Sequence, residues 1–213
     1  MKDELTLRAV LLDVSRRMLE LGLNRGTAGN ASARCGDGLL ITPSALPVPA
    51  MTAASMVRMA LDGRVLQGGK PSSEWRFHCD ILNARPEIGA VLHMHSPFAT
   101  TLACLHRAVP AVHYMIALAG GDSIRCTPYS VFGEQQLSDD VLEALRGRKA
   151  CLLGNHGMIA LGADLDDALA VAQEVEFLCE IYWRTLSVGE PRILTAQQMH
   201  EVKAKFVEYK KRS

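Results

Sequence analysis

The sequence carries no excess of either charge: 23 Lys and Arg stand against 23 Asp and Glu. No overall field therefore draws the protein to nucleic acid or to an anionic membrane, and charge must act locally, inside a site. Nor is there an apolar run approaching the ~18 residues that cross a bilayer. Asp3, Glu4, Arg16 and Arg17 interrupt the N-terminal stretch where an export signal needs continuous apolar residues. The six cysteines, Cys35, Cys79, Cys104, Cys126, Cys151 and Cys179, form no CxxC pair, and most have apolar neighbours. They read as reduced core thiols of a cytoplasmic protein. No linker, repeat or low-complexity tract divides the chain, so one domain over residues 1–213 is expected.

What is present is an ordinary globular composition, 213 residues with 48% hydrophobic and 22% charged. A domain of this size buries roughly 70% of its unfolded surface and needs no metal merely to fold. Any metal is then functional. Leu7, Leu11, Val14, Met18 and Leu21 recur at helical spacing before Gly22, which predicts an opening amphipathic helix. Between 24 and 70 short β-like pieces (Leu39 to Thr42, Met56 to Ala60, Arg64 to Leu66) alternate with glycine and proline turns. Helix returns near Ser73, Ile88 to His95 reads as a buried strand, and Pro97 starts a helix to about Leu105. Residues 112 to 133 read as short strands and loops. A helix is expected from Ser138, then strands Ala150 to Leu153 and Met158 to Leu161 around a Gly154-Asn155-His156-Gly157 turn. Asp164 opens a long helix ending near Gly189, and Thr195 with Gln198 forms a capping-box pattern for the last one. The alternation implies an α/β domain with a mostly antiparallel central sheet covered by helices.

His93 and His95 lie two apart in an apolar strand, so both imidazoles point to one face, roughly 7 Å apart at the backbone. The pair fits two ligands of one metal, or two half-buried structural histidines. His156, flanked by two glycines at a strand end, supplies a third ring, and three histidines match a catalytic zinc site with positions left open. His78, His106 and His200 fall on helices and read as core-edge or surface groups, while His113 is ambiguous. Ser72, Ser73 and Glu74 gather at a helix N-terminus, which suits simple capping or an anion. Gly26-Thr27-Ala28-Gly29-Asn30 and Thr42-Pro43-Ser44 add small residues, hydroxyls and an amide. Together they offer neutral donors for a phosphate.

These motifs, in the order Leu21 to Asn30, Leu40 to Ser44, Pro71 to His78, Ala90 to His95, His113 to Gly133 and Asn155 to Gly157, resemble the class II, zinc-dependent aldolase family, and within it the L-fuculose-1-phosphate branch. The resemblance runs from about residue 5 to residue 209 and implies the family's three-layer fold. It implies zinc, or manganese or cobalt in its place, held by His93, His95 and His156. Glu74 corresponds to the catalytic acid/base. Thr27, Gly29, Asn30, Ser44, Ser72 and Ser73 match phosphate-binding positions. Tyr114 matches the tyrosine that handles the proton on the aldehyde-derived oxygen, usually from an adjacent subunit, and Phe132, Phe206 and Tyr209 match the aldehyde pocket. A homotetramer with active sites between subunits is implied.

The reaction implied is reversible cleavage of a ketose 1-phosphate to dihydroxyacetone phosphate and a small aldehyde through a zinc-stabilised enediolate. L-fuculose 1-phosphate, 5-deoxyribulose 1-phosphate and 5-methylthioribulose 1-phosphate are the candidate substrates. A 4-epimerase, dehydratase or decarboxylase of the same superfamily would keep the metal, whereas an adducin-head-like interaction module would not need it. One departure stands out: Ala45 occupies a loop position where the family usually has glycine, and strains that loop if it takes a positive φ.

Overall fold

The N-terminal helix α1 (Glu4–Glu20) begins on Asp3, whose carboxylate accepts the Thr6 N–H at 2.9 Å, and buries Leu11, Leu12, Val14 and Met18. Leu21, expected on that face, lies past the last turn and is exposed. The computed structural model describes residues 3–210, apart from the side chain of Lys210; the run Lys210 to Ser213 reads in the sequence as a solvated basic tail, and all of it but the Lys210 backbone lies outside the described residues.

Among the described residues eight strands form one sheet: β1 (Asn30–Cys35), β2 (Gly38–Ile41), β3 (Val57–Ala60), β4 (Val65–Gln67), β5 (Ala90–Met94), β6 (Arg125–Cys126), β7 (Ala150–Leu153) and β8 (Gly157–Gly162). Their order is β4-β3-β2-β1-β5-β8-β7-β6, and every pairing is antiparallel except β6 with β7. The expected antiparallel sheet under helices is therefore the observed one. The strand without a sequence signal is β1, Asn-Ala-Ser-Ala-Arg-Cys. It sits mid-sheet between β2 and β5, where its small side chains pack under both layers and no apolar alternation is needed.

Helices α1, α3 (Pro97–Cys104) and α5 (Leu165–Val188) cover one face, joining Leu40, Leu92, Met94, Leu152 and Ala160 in one core. Helices α2 (Trp75–Ala84) and α4 (Gln135–Ala144) cover the other with Leu39, Ile41, Val91, Leu153 and Ile159. Each fully buried Leu or Ile contributes about 1.5–3 kcal/mol relative to exposure, so both layers hold without any metal. The last helix, α6 (Ala196–Lys210), carries the expected capping box: Thr195 N–H donates to the Gln198 side chain at 2.8 Å, and Gln198 N–H to the Thr195 hydroxyl at 3.2 Å.

Other expectations change in detail. α4 begins at Gln135 rather than Ser138, whose hydroxyl instead donates inward to Asp80 at 2.6 Å. Residues 112 to 133 contain a 3₁₀ segment, Tyr114–Ala119, and only the short β6. Of the cysteines, all free, Cys79, Cys151 and Cys179 are core groups, Cys35 and Cys126 are half-buried, and Cys104 is exposed. His106 and His200 are exposed as read, but His78 is fully buried. It faces polar groups of β1, the strand that no pattern announced.

Candidate active site

Alternation along β5 sends Leu92 and Met94 to the α1/α3/α5 core and His93 to the opposite side, against the edge of Phe77 on α2. His95 follows the strand end. The β7–β8 turn brings His156 to the same place, and the three imidazoles meet with a ligand atom from each within 4.8 Å of the others. The sequence-predicted metal set is thus one cluster.

Each ring is aimed by its surroundings. His93 donates Nδ1–H to the Met158 carbonyl at 3.0 Å, which leaves Nε2 a lone pair facing inward. Asn24 accepts the His95 backbone N–H at 3.1 Å. Glu176 of α5 accepts from Ser96 Oγ at 2.6 Å and from the N–H groups of Phe98 and Ala99, pinning the turn that leaves His95. Asn155, in the left-handed region at φ 54°, bonds His106 through Oδ1 at 2.6 Å and the Ala103 carbonyl through its N–H, tethering the His156 turn to α3. Gly157 is required beside it, since a Cβ there would stand 2.4 Å from the Met94 carbonyl and 2.9 Å from the His95 ring.

Burial, and then His95, pushes His93 down to about 3; burial, and then His93, pushes His156 to about 4; burial lowers His95 too. All three are neutral near pH 7, the form that binds metal. His93 Nε2 and His95 Nε2 stand 3.1 Å apart. Two bare lone pairs repel at that separation, but ligands at ~2.0–2.1 Å on one tetrahedral ion sit roughly 3.3 Å from each other.

Glu74 completes the cluster. It occupies the position just before α2, with Ser72 Oγ accepting its N–H at 3.3 Å, so the serines stand outside the helix. Its Oε2 lies 3.3 Å from His93 Nε2 and its Oε1 3.3 Å from His156 Nε2. Oε2 accepts from Asn30 Nδ2 at 2.9 Å, whereas Oε1 is buried without a hydrogen-bond partner among the described residues. An orphaned carboxylate oxygen among three inward Nε2 atoms is what a divalent cation satisfies.

A cleft of about 330 Å³ opens over this cluster, lined by Thr27, Gly29, Asn30, Ser44, Ala45, Ser72, Ser73, Glu74, His95, Phe132, Asn155 and His156 among others. The six positions matched to phosphate binding therefore share one wall. Gly29 lets that wall form: its φ is 76°, and a Cβ would stand 2.3 Å from the Asn24 side chain. Ala45 does take a positive φ, 56°, at a cost of about 1–2 kcal/mol for a residue with a Cβ. Ala45→Gly is expected to stabilise the fold by roughly 0.5–1 kcal/mol after the added unfolded-state freedom of glycine is deducted. Chemical denaturation checks this.

Tyr114, Phe206 and Tyr209 are not part of that wall. Tyr114 is 48% exposed and stacks on Phe206, ring centroids 6.3 Å apart, and Tyr209 is exposed. Of the aldehyde-pocket residues, Phe132 alone lines the cleft of its own chain. Asn24, His78, Asn155 and Glu176 support the site but were given no role from the sequence, although the first three lie within the motifs that carry the resemblance. Each is a polar residue whose role depends on which distant group it meets.

The class II aldolase and adducin N-terminal domain model matches residues 9–183. The chain is 53% identical over 207 residues to a 5-methylthioribulose-1-phosphate/5-deoxyribulose-1-phosphate aldolase of Rhodospirillum rubrum, covering 97% of this chain and 94% of that one. It is 44% identical over 200 residues to an L-fuculose phosphate aldolase of Escherichia coli, covering 93% of each. A solved L-fuculose 1-phosphate aldolase superposes with a TM-score of 0.92 at 35% identity, over 94% of this chain and 96% of that one. The protein belongs to the class II aldolase and adducin N-terminal domain family, among its aldolases.

Proposed function

We propose that the protein is a cytoplasmic, metal-dependent aldolase that reversibly splits a ketose 1-phosphate at C3–C4 into dihydroxyacetone phosphate and a small aldehyde. The observation that carries this is Glu74, a buried carboxylate hydrogen-bonded at one oxygen, not at the other, and set against three neutral imidazoles. His93, His95 and His156 would hold zinc, with manganese or cobalt as functional substitutes. When bound, the cation supplies Lewis-acid stabilisation of the negative charge that develops on the substrate.

Glu74 would face the cation through Oε1 in the empty site, move off it when substrate binds, and then move the proton at C3. Thr27, Gly29, Asn30, Ser44, Ser72 and Ser73 bind the phosphate through hydroxyl, amide and backbone N–H donors, fixing the reacting carbons without touching them. Tyr114 takes the C4 hydroxyl proton during cleavage and returns it in synthesis, a contribution of about 10²-fold. Its exposure, with that of Tyr209, supports delivery to the cleft of an adjacent subunit in a homotetramer, where Phe206 and Tyr209 join Phe132 around the aldehyde.

For substrate, 5-methylthioribulose 1-phosphate and 5-deoxyribulose 1-phosphate rank ahead of L-fuculose 1-phosphate. Identity to a relative named for the first two is higher, 53% against 44%. All three end in an apolar methyl or methylthio group suited to an aromatic wall. The test is product analysis with each ketose. Dihydroxyacetone phosphate is expected from all three, with the highest kcat/KM on a pentulose. A product that keeps the whole carbon skeleton, epimerised or dehydrated, would overturn the aldolase reading.

A further inference from the structure

On the side of Glu74 away from the open oxygen, three buried polar side chains follow one another into the protein. Asn30 Nδ2 donates to Glu74 Oε2 at 2.9 Å, Asn30 Oδ1 meets His78 Nε2 at 2.5 Å, and His78 Nδ1 meets Ser32 Oγ at 2.7 Å. Ser32 and His78 are fully buried, and Asn30 and Glu74 are 8% and 6% exposed. Phe77 stacks on the His78 ring at 4.7 Å, so the ring is held in place by packing.

The direction of each hydrogen bond follows from the end of the chain. An ionised carboxylate only accepts, so Asn30 must present its Nδ2 and turn Oδ1 the other way. An amide oxygen also only accepts, so His78 carries its proton on Nε2. Nδ1 of the neutral ring is then the acceptor, and the Ser32 hydroxyl donates to it. Every proton points toward Glu74. In the opposite tautomer, a bare Nε2 would demand an amide donor, flip Asn30, and set its Oδ1 against the carboxylate.

We propose that His78 is a positioning residue: acting through Asn30, and held in its tautomer by Ser32, it fixes Oε2 of Glu74 so that Oε1 is presented to the substrate carbon. This rests on the reading that Glu74 moves the C3 proton. Because β1 supplies Asn30 and Ser32 while Glu74 stands just before α2 and His78 within it, the device also locks the base to the sheet that bears the histidines.

The experiment compares wild type, Glu74→Gln, His78→Leu, His78→Gln and Ser32→Ala. It follows exchange of solvent deuterium into C3 of dihydroxyacetone phosphate, kcat and KM of cleavage, bound zinc, and ¹⁵N shifts of labelled histidines. His78→Leu is expected to lose about 10- to 100-fold in exchange and kcat, the usual cost of removing a group that orients a catalytic one. The loss should fall more on kcat than on KM, to which Asn30 also contributes at the phosphate, and zinc should be retained. His78→Gln, whose amide N–H again faces Asn30, should recover most of the loss, and Ser32→Ala should show a smaller one. The His78 ring should read as the Nε2–H tautomer. Wild-type exchange in both His78→Leu and Ser32→Ala, with Glu74→Gln inactive, would overturn the positioning role alone. Wild-type exchange in Glu74→Gln would overturn the reading of Glu74 and this role with it. Equal losses in the leucine and glutamine variants, accompanied by loss of zinc, would reduce His78 to a packing residue. If leucine prevents folding, Ser32→Ala and His78→Gln carry the same comparison.

Discussion

Glu74→Gln is expected to keep its bound metal and fold, and to lose about 10³-fold in kcat for release of dihydroxyacetone phosphate, within the range that a positioned acid/base contributes. The side chain keeps its size, and its amide oxygen can still accept from Asn30 Nδ2, so the bond at 2.9 Å has a counterpart in the variant. What is lost is the ability to exchange a proton at the oxygen that has no hydrogen-bond partner among the described residues. Met158 holds the His93 ring, and the Asn24 contact and the Asn155 turn hold the backbone that carries His95 and His156, which is why metal content should survive. Steady-state kinetics with metal analysis on the same preparation checks both halves. Turnover near that of wild type would remove Glu74 from the chemistry.

Stripping divalent ions with a chelator is expected to have the larger effect. About 5 kcal/mol of charge stabilisation, the scale a Lewis acid supplies, corresponds to roughly 10³–10⁴ in rate. Activity should return with added zinc, manganese or cobalt, and the order of recovery identifies the preferred ion. The stripped protein should nonetheless give an unchanged circular-dichroism spectrum. Its two apolar layers close on either side of the sheet without reference to the histidines, and His93, fully buried, is already neutral and bonded to the Met158 carbonyl. Unfolding on chelation would mean that the ion is a structural staple.

The elements legible in the sequence are those whose periodicity or punctuation is local. Asp3 and Gly22 bracket α1, Asp164 opens α5 by accepting the Asp167 N–H at 2.9 Å, and Thr195 with Gln198 caps α6. β1 was not legible, because a strand buried on both faces and built from Ala, Ser and Asn has neither alternation nor an apolar run. Its omission explains why full burial of His78 was not foreseen: without β1 there is no Ser32 or Asn30 for that ring to meet, and a histidine on a helix reads as a core-edge or surface group.

For the site, the chain by itself determined the chemistry available: three histidines placed at strand ends, a carboxylate at a helix start, and loops rich in hydroxyls and glycine. Such residue types are constrained by what they must bind, and their local spacing survives in the one-dimensional order. Only the tertiary structure decided that Glu74 keeps one oxygen without a partner, that Asn30 turns its amide toward that carboxylate, and that Ala45 accepts a left-handed backbone. It also set Tyr114 and Phe206 against each other, off the wall of their own chain's cleft. Those facts depend on hydrogen bonds and packing between segments far apart in the chain, and the pairing of such segments is settled by which buried polar groups satisfy one another once the sheet has formed.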